Sequence, residues 1–280
     1  PYGLVRWTEQ RNFEAVLGLM KSGALAVEEL ISRRFDIDAA EDAYDLLANG
    51  SPLGLILKFP GNGSSQPIEQ SDRLLDLRTS QDREAVPGTI GMIGSGNYAS
   101  QILIPAFKSA GAGLGLLSSQ GGVSSVHNGK KFGFDSATTD ADAVATHAGV
   151  DTVVIATRHD THARYAVPAI NAGKHVFVEK PLAINRAELD QIRNAYYAKV
   201  NVGSAPLLMV GFNRRFSPLV VKLKSLLDAQ AEPKSMVMTV NAGDIPGDHW
   251  VQDPVKGGGR IVGEACHFID LARFLVAEPI

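Results

Sequence analysis

The chain of 280 residues has a single cysteine, Cys266. It cannot form an internal disulfide, which suits a reducing compartment and points to the cytoplasm. A lone thiol beside His267 has the makings of a nucleophile, but its apolar helical surroundings read as a buried structural thiol. Long apolar runs are missing too. "DTVVIA" and "PLLMVGF" are far short of the ~20 residues that a membrane-spanning helix needs. No charged start followed by an apolar stretch marks a signal peptide. Neither sign of charge dominates: 27 Lys and Arg stand against 30 Asp and Glu, a net −3. That balance argues against nucleic acid or an anionic membrane as a partner. There is no internal repeat. The chain opens on Pro1 rather than Met, so its start is read as incomplete.

What is present is ordinary for a folded protein: 45% hydrophobic and 20% charged residues. The length suits about two domains at roughly 150 residues each. Residues 1–60 read helix, strand, helix, strand, with Gly23 ending the first helix. Asp38 and Gly50 read as the caps of the second helix. These elements are too few to bury both faces of a sheet. Residues 61–87 are rich in Gly, Ser, Pro, Gln and charge and read as a linker, with a short exposed helix over "DRLLDLRTSQDRE". From Thr89 the pattern becomes regular: short apolar strands alternate with amphipathic helices as far as "PLLMVGF". Such alternation means a doubly wound parallel sheet covered on both faces. After Pro206 the rhythm changes to a helix at "FSPLVVKLKSLLDAQ", an alternating strand at "KSMVMTVNAG" and a helix at "EACHFIDLARFLVA". This is the start of an α+β domain. The fold class is therefore α/β: a Rossmann sheet over 88–205, a partial α+β substrate domain over 206–280, and a small α/β remnant over 1–60.

The sharpest motif is "TIGMIGSGNYASQ". Gly94-Ser95-Gly96-Asn97-Tyr98-Ala99 fits G-x-G-x-x-G/A after a strand and at the start of a helix. Gly94 permits the tight turn, Gly96 lets backbone approach a pyrophosphate, and Ala99 lets the helix pack on the strand. The helix start then offers free N–H groups and the positive end of its dipole. An acidic residue is expected at the end of the second strand, to hold a ribose 2′-OH. Ser118 and Ser119 stand there instead, and they can bond either a 2′-OH or a 2′-phosphate. NAD and NADP both remain open.

Two further stretches carry chemistry. "KHVFVEKPLA" places Glu179 and Lys180 at the C-terminal end of a strand, the edge where open α/β sheets bind ligands. A lysine there orients a substrate hydroxyl, or is simply a solvated strand end. In "GGGRIVGEACHFIDLARFL", His267 and Asp270 share a helix face. A histidine with a carboxylate one turn on is a base with a stabilised imidazolium, or a structural pair.

Taken together, "IGMIGSGNYA", "VVIATRHDTHARYAVPAINAGKHVFVEKPLA", "GFNRRFSP" and "GGGRIVGEACHFIDL" resemble the Gfo/Idh/MocA oxidoreductases over residues 88–280. The resemblance implies a nicotinamide cofactor, NAD or NADP, and a sugar, cyclitol or nucleotide-sugar substrate. It implies Lys180, His267 and Asp270 as catalytic residues. Thr157, His159 and His162 fall in the cofactor-lining loop, and Asn213, Arg214 and Arg260 face the substrate. Where the family often has Asp, four residues before the histidine, this chain has Gly263. Only 13 residues follow His267, so most of the family's large second sheet is expected to be missing. With it would go part of the usual surface of a homo-oligomer. Residues 1–60 resemble the C-terminal tail of medium-chain zinc-type alcohol dehydrogenases, without their metal ligands, so no zinc site is expected. The combination resembles two-domain oxidoreductases associated with bacterial surface polysaccharide. The rival reading is a Rossmann module that binds a nucleotide or a partner without turnover. A third is imine or biliverdin-type reduction on the same scaffold.

Overall fold

The computed structural model describes residues 8–59, 73–78, 88–230 and 232–277. They fall into two compact units, Pro1–Gln70 and Ser71–Ile280. In the first, helix α1 (Glu9–Ser22) starts at Thr8, whose hydroxyl accepts the Arg11 N–H. It ends at Gly23, in left-handed geometry at φ 77°. No residue of α1 is buried, and Phe13 is 70% exposed. Strand β1 (Arg33–Asp36), helix α2 (Ala40–Asn49) and strand β2 (Leu55–Lys58) make a unit with two parallel strands around Phe35 and Ala43. Asp38 does not cap α2. It lies inside a 3₁₀ turn, Ile37–Ala39, that runs straight into the helix, so its backbone is already helical where a cap needs extended geometry.

The second unit is built on one sheet. In chain order its elements are β3 (Leu74–Asp76), β4 (Ile90–Ile93), α3 (Ile104–Ser109), β5 (Leu114–Ser118), α4 (Val123–Phe132), β6 (Ser136–Thr138), α5 (Asp142–Thr146), β7 (Thr152–Ile155), α6 (His162–Asn171), β8 (His175–Val178), α7 (Arg186–Asn201) and β9 (Leu208–Val210). The spatial order is β3-β6-β5-β4-β7-β8-β9, and every neighbouring pair is parallel except β3 with β6. Side chains alternate across it as a strand requires. Met92, Leu117 and Val154 join Ile104 in one layer, while Ile93, Leu116 and Val153 join Ala166 and Ile170 in the other. Helices therefore cover both faces, the Rossmann-like arrangement expected from the alternating pattern. Ile104 is fully buried, so Ile104→Ala should cost about 2–5 kcal/mol, read as a lower denaturation midpoint in urea.

Two expected elements differ. The described part of "DRLLDLRTSQDRE", residues 73–78, carries strand β3 rather than a helix, and its residues 72 and 79–84 lie outside the described residues. β6 would otherwise be a sheet edge with unpaired backbone groups, and Leu74–Asp76 satisfies them. Most of the linker expected over 61–87 also lies outside the described residues. The strand expected in "KSMVMTVNAG" does not form. A strand needs a neighbour for its backbone hydrogen bonds, and no described strand pairs with it. Beyond β9 come α8 (Pro218–Asp228) and α9 (Cys266–Val276). Of the apolar residues of α9, only Leu275 is buried. Cys266 is half-buried rather than buried, although burial still pushes its thiol pKa up.

Candidate active site

β4 sits at the centre of the sheet, with β5 on one side and β7 on the other. The chain leaves β4 toward β5 and only later returns to β7, and this reversal opens a crevice at the carboxyl ends of the strands. The glycine turn lies there. Gly94 has φ 100°, and a Cβ on it would stand 2.4 Å from the Ala156 carbonyl oxygen. Its N–H donates to the Ser118 carbonyl at 2.9 Å. A Cβ on Gly96 would meet open space. Ala99 is buried against the sheet. The helix that follows opens at Asn97 and passes through a π-helical stretch, Ala99–Leu103, before α3.

A cavity of about 430 Å³ faces this turn, lined by Gly96, Asn97, Tyr98, Ala99, Thr157, His159, Glu179, Lys180, Asn213, Trp250 and His267. A larger one, about 950 Å³, is lined by Lys180, Arg214, Thr239–Gly243, Arg260, Glu264, His267 and Phe268. Lys180 and His267 line both. Lys180 follows β8, and its Nζ donates to the Gly263 carbonyl at 2.8 Å. The carbonyl of Gly263 thus receives the ammonium at the position where the resemblance leads to the expectation of an aspartate. His267 sits at the start of α9, just after a second π-helical stretch, Ile261–Ala265. Its Nδ1 is buried without a hydrogen-bond partner. Burial, then the charges of Lys180 and Arg214, push the His267 pKa down to about 4. The ring is neutral at ordinary pH and able to accept a proton.

The other expected residues divide. Asp270 gives its carboxylate to Arg215, whose Nε lies at 3.0 Å, and not to His267. Arg215 is 55 residues away in sequence, so a partner one turn along the helix was the only pairing that local spacing offered. Asn213 lines the smaller cavity, not the larger, and donates to the Tyr98 hydroxyl at 3.3 Å. Arg214 stacks over Phe268, 4.6 Å from the ring centre, on the wall of the larger cavity. Arg260 also lines it, held by Glu264 at 2.7 Å and the Gly243 carbonyl at 2.9 Å. Glu179 faces the smaller cavity, with its carboxyl pKa raised by burial.

His162 does not reach the cleft. It is fully buried, with Nδ1 2.6 Å from the Pro181 carbonyl and Nε2 3.2 Å from that of Thr157. A neutral imidazole has one N–H, and the shorter contact takes it. Its role is to pin the Lys180–Pro181 turn, whose peptide bond is cis. His159 does line the smaller cavity, and its Nδ1 donates to the Gly257 carbonyl at 2.9 Å. Trp250 packs edge-on against His159, with ring centres 4.8 Å apart. No sequence signal singles out Trp250, because "GDHWVQDP" reads as a loop of turn residues. Thr239–Gly243 was masked in another way, by an alternation that reads as a strand.

A third cavity, about 640 Å³, lies at the other end of the crevice and includes Gly94, Ser118, Ser119 and Thr157. The Ser118 hydroxyl is buried and without a partner. Ser119 uses its own to accept the Ser125 N–H at the start of α4. Among the described residues no group of three or more His, Cys, Asp or Glu is placed to hold a metal ion. No described helix is long and apolar enough to cross a membrane.

His159, His162 and His267 all have pKa values lowered from 6.5, in each case mainly by burial. Between the folded and unfolded values the unfolded chain binds more protons. Stability is therefore full above pH 6.5 and is lost as pH falls toward the folded values. The thermal midpoint should drop between pH 6.5 and about 4, and His162→Asn should flatten that slope. Equal slopes in the two proteins would reject the buried imidazole as a cause.

Comparison with known proteins places this geometry. Residues 89–202 match the Gfo/Idh/MocA family, described as an oxidoreductase family with an NAD-binding Rossmann fold. An inositol 2-dehydrogenase of Rhizobium meliloti is 35% identical over 137 residues, 49% of this chain and 40% of that protein. A levoglucosan dehydrogenase of Pseudarthrobacter phenanthrenivorans is 32% identical over 160 residues, 53% of this chain and 39% of that protein. Among solved structures, levoglucosan dehydrogenase in complex with NADH and levoglucosan aligns with a TM-score of 0.56 at 26% identity, covering 68% of this chain and 54% of that one. A probable dehydrogenase from Thermotoga maritima gives a TM-score of 0.57 at 25% identity, covering 69% and 56%. The chain spans about two fifths of the length of the first curated relatives it matches. A glycine turn at the sheet's switch point, a lysine after β8 and the match over 89–202 converge: over these residues the chain is a Rossmann-like domain similar to the NAD-binding domain of the Gfo/Idh/MocA oxidoreductases.

Proposed function

We propose that the protein is an NAD(P)-dependent oxidoreductase acting on a carbinol of a sugar, cyclitol or nucleotide sugar. One observation carries the reading: Lys180 and His267 form the wall common to the cavity at the glycine turn and the larger cavity beside it. A dinucleotide fits the first on this chain's own chemistry. Gly96 leaves open space where a side chain would stand, and N–H groups at a helix start would face a phosphate bound there. The buried hydroxyls of Ser95 and Ser118 have no protein partner. The bound nicotinamide supplies the hydride acceptor or donor.

The chain's residues do the rest. Gly94–Ala99 hold the pyrophosphate. One N–H of the Lys180 ammonium is committed to Gly263, which leaves two to orient a substrate hydroxyl. Neutral His267 takes the hydroxyl proton in oxidation and returns it in reduction. Arg214 and Arg260 bind the polar body of the substrate. Asp270 acts at one remove, fixing Arg215 against α9.

Residues 1–60 we read as the end of a medium-chain dehydrogenase-like domain, supported by the parallel β1–α2–β2 unit and by the uncovered apolar side chains of α1. Residues 88–205 bind the cofactor and 206–280 begin the substrate domain. The protein works in the cytoplasm on a small molecule, as a homo-oligomer, in surface-polysaccharide synthesis. The test is spectrophotometric: NAD(P)⁺ is offered with a panel of cyclitols, sugars and nucleotide sugars. Reduction at 340 nm with at least one of them is expected. Tight dinucleotide binding without turnover of any would favour the non-catalytic module, a reading that the missing carboxylate at Gly263 supports.

A further inference from the structure

The segment that precedes the Rossmann domain reaches its cleft. β3 adds an antiparallel strand outside β6, and the Leu77 N–H donates to the Asp135 carbonyl at 2.8 Å. The Leu77 side chain fills the gap that Gly129 leaves on α4, since a Cβ there would stand 2.4 Å from Leu77 Cδ1. This seats the strand against the domain. Arg73, one residue before β3, then lines the third cavity beside Ser118, Ser119 and Gln120.

We propose that β3 is part of the cofactor site and that Arg73 selects a dinucleotide bearing a 2′-phosphate, NADP over NAD. The proposal rests on reading the cleft as a dinucleotide site. A carboxylate at the end of β5 would accept the ribose 2′-OH and repel a phosphate. Here β5 ends in Ser118, followed by Ser119 and Gln120, and all three are neutral. The cavity's other charges are largely engaged. Asp140 accepts the backbone N–H groups of Asp142 and Ala143 at 3.0 and 3.3 Å. Arg164 pairs with Asp142 at 3.1 Å. Arg158 lies over the Trp250 ring, 6.0 Å from its centre, and Asp160 is exposed. Arg73 is exposed, and no described carboxylate pairs with it. Its guanidinium matches a phosphate in a forked geometry that a lysine lacks. The Ser118 hydroxyl, buried and unpartnered on the same wall, is the second group awaiting a ligand.

Calorimetry on the full chain tests this with 2′,5′-ADP and 5′-AMP as probes, then with NADP⁺ and NAD⁺. The 2′-phosphorylated member of each pair should bind about tenfold or more tightly, with a preference that weakens as salt rises. Arg73→Ala should erase most of that ratio at an unchanged melting temperature, Arg73→Lys should keep part of it, and Ser118→Asp should invert it. A wild-type preference for 5′-AMP and NAD⁺, or a ratio untouched by Arg73→Ala, overturns the proposal while leaving the dinucleotide site standing. Binding of none of the four probes overturns the dinucleotide reading and this proposal with it.

Discussion

His267→Ala should lower kcat by about 10²–10⁴-fold, the range for losing a positioned general base, while dinucleotide affinity changes far less. The reason is position. His267 stands where the two cavities meet, so on the proposed reading its loss removes a proton acceptor and not the pyrophosphate cradle of Gly94–Ala99. A second readout separates this role from mere packing. Lys180 is the leading charge that lowers the His267 pKa, after burial itself. In Lys180→Met the imidazole should titrate above its parent value of about 4, toward the ordinary 6.5, in a histidine-resolved NMR titration. The acid limb of kcat/KM should move up with it. An unmoved midpoint would separate Lys180 from His267, and near-normal kcat in His267→Ala would give the proton to another group.

Gly94→Ala and Gly96→Ala should fail in opposite ways. At Gly94 an added Cβ meets the Ala156 carbonyl at 2.4 Å on backbone at φ 100°. Strain of this kind plus overpacking costs about 2–6 kcal/mol, enough to lower the denaturation midpoint severely. At Gly96 the Cβ projects into open space in the cavity wall. Stability should change by less than about 0.5 kcal/mol, as for a substitution that touches nothing. Dinucleotide affinity should fall by about tenfold or more, because the methyl stands where the pyrophosphate must lie. Matched urea melts and binding titrations on the two variants check both. If Gly96→Ala binds as the parent does, the pyrophosphate lies elsewhere.

Most of the Rossmann unit was legible because its signals are local. An apolar strand buried on both faces, as at Ile90–Ile93, reads as a continuous run, and the glycines of the turn mark where it must bend. Lys180 was legible as a residue at a strand's carboxyl end, and His267 through the motif around it. The short strands at one side of the sheet were not. β3 and β6 are three residues each, too short to show a period; β6 forms against β5, and β3 forms because β6 offers it unpaired backbone groups. The reverse error at "KSMVMTVNAG" has the same origin, since alternation without a partner strand makes no sheet.

The amino-acid sequence by itself determined the strand–helix rhythm from Thr89, the glycine turn and its place at a helix start. Periodicity and backbone sterics act within a few residues, so they are written in the chain. The tertiary structure alone decided who meets whom: Asp270 with Arg215, Gly263 with Lys180, His162 beneath Pro181, and Arg73 in a cleft whose glycines lie some twenty residues further on. Those pairings follow from which strand ends share one edge and which buried polar groups need a partner. That is settled only when the sheet order is.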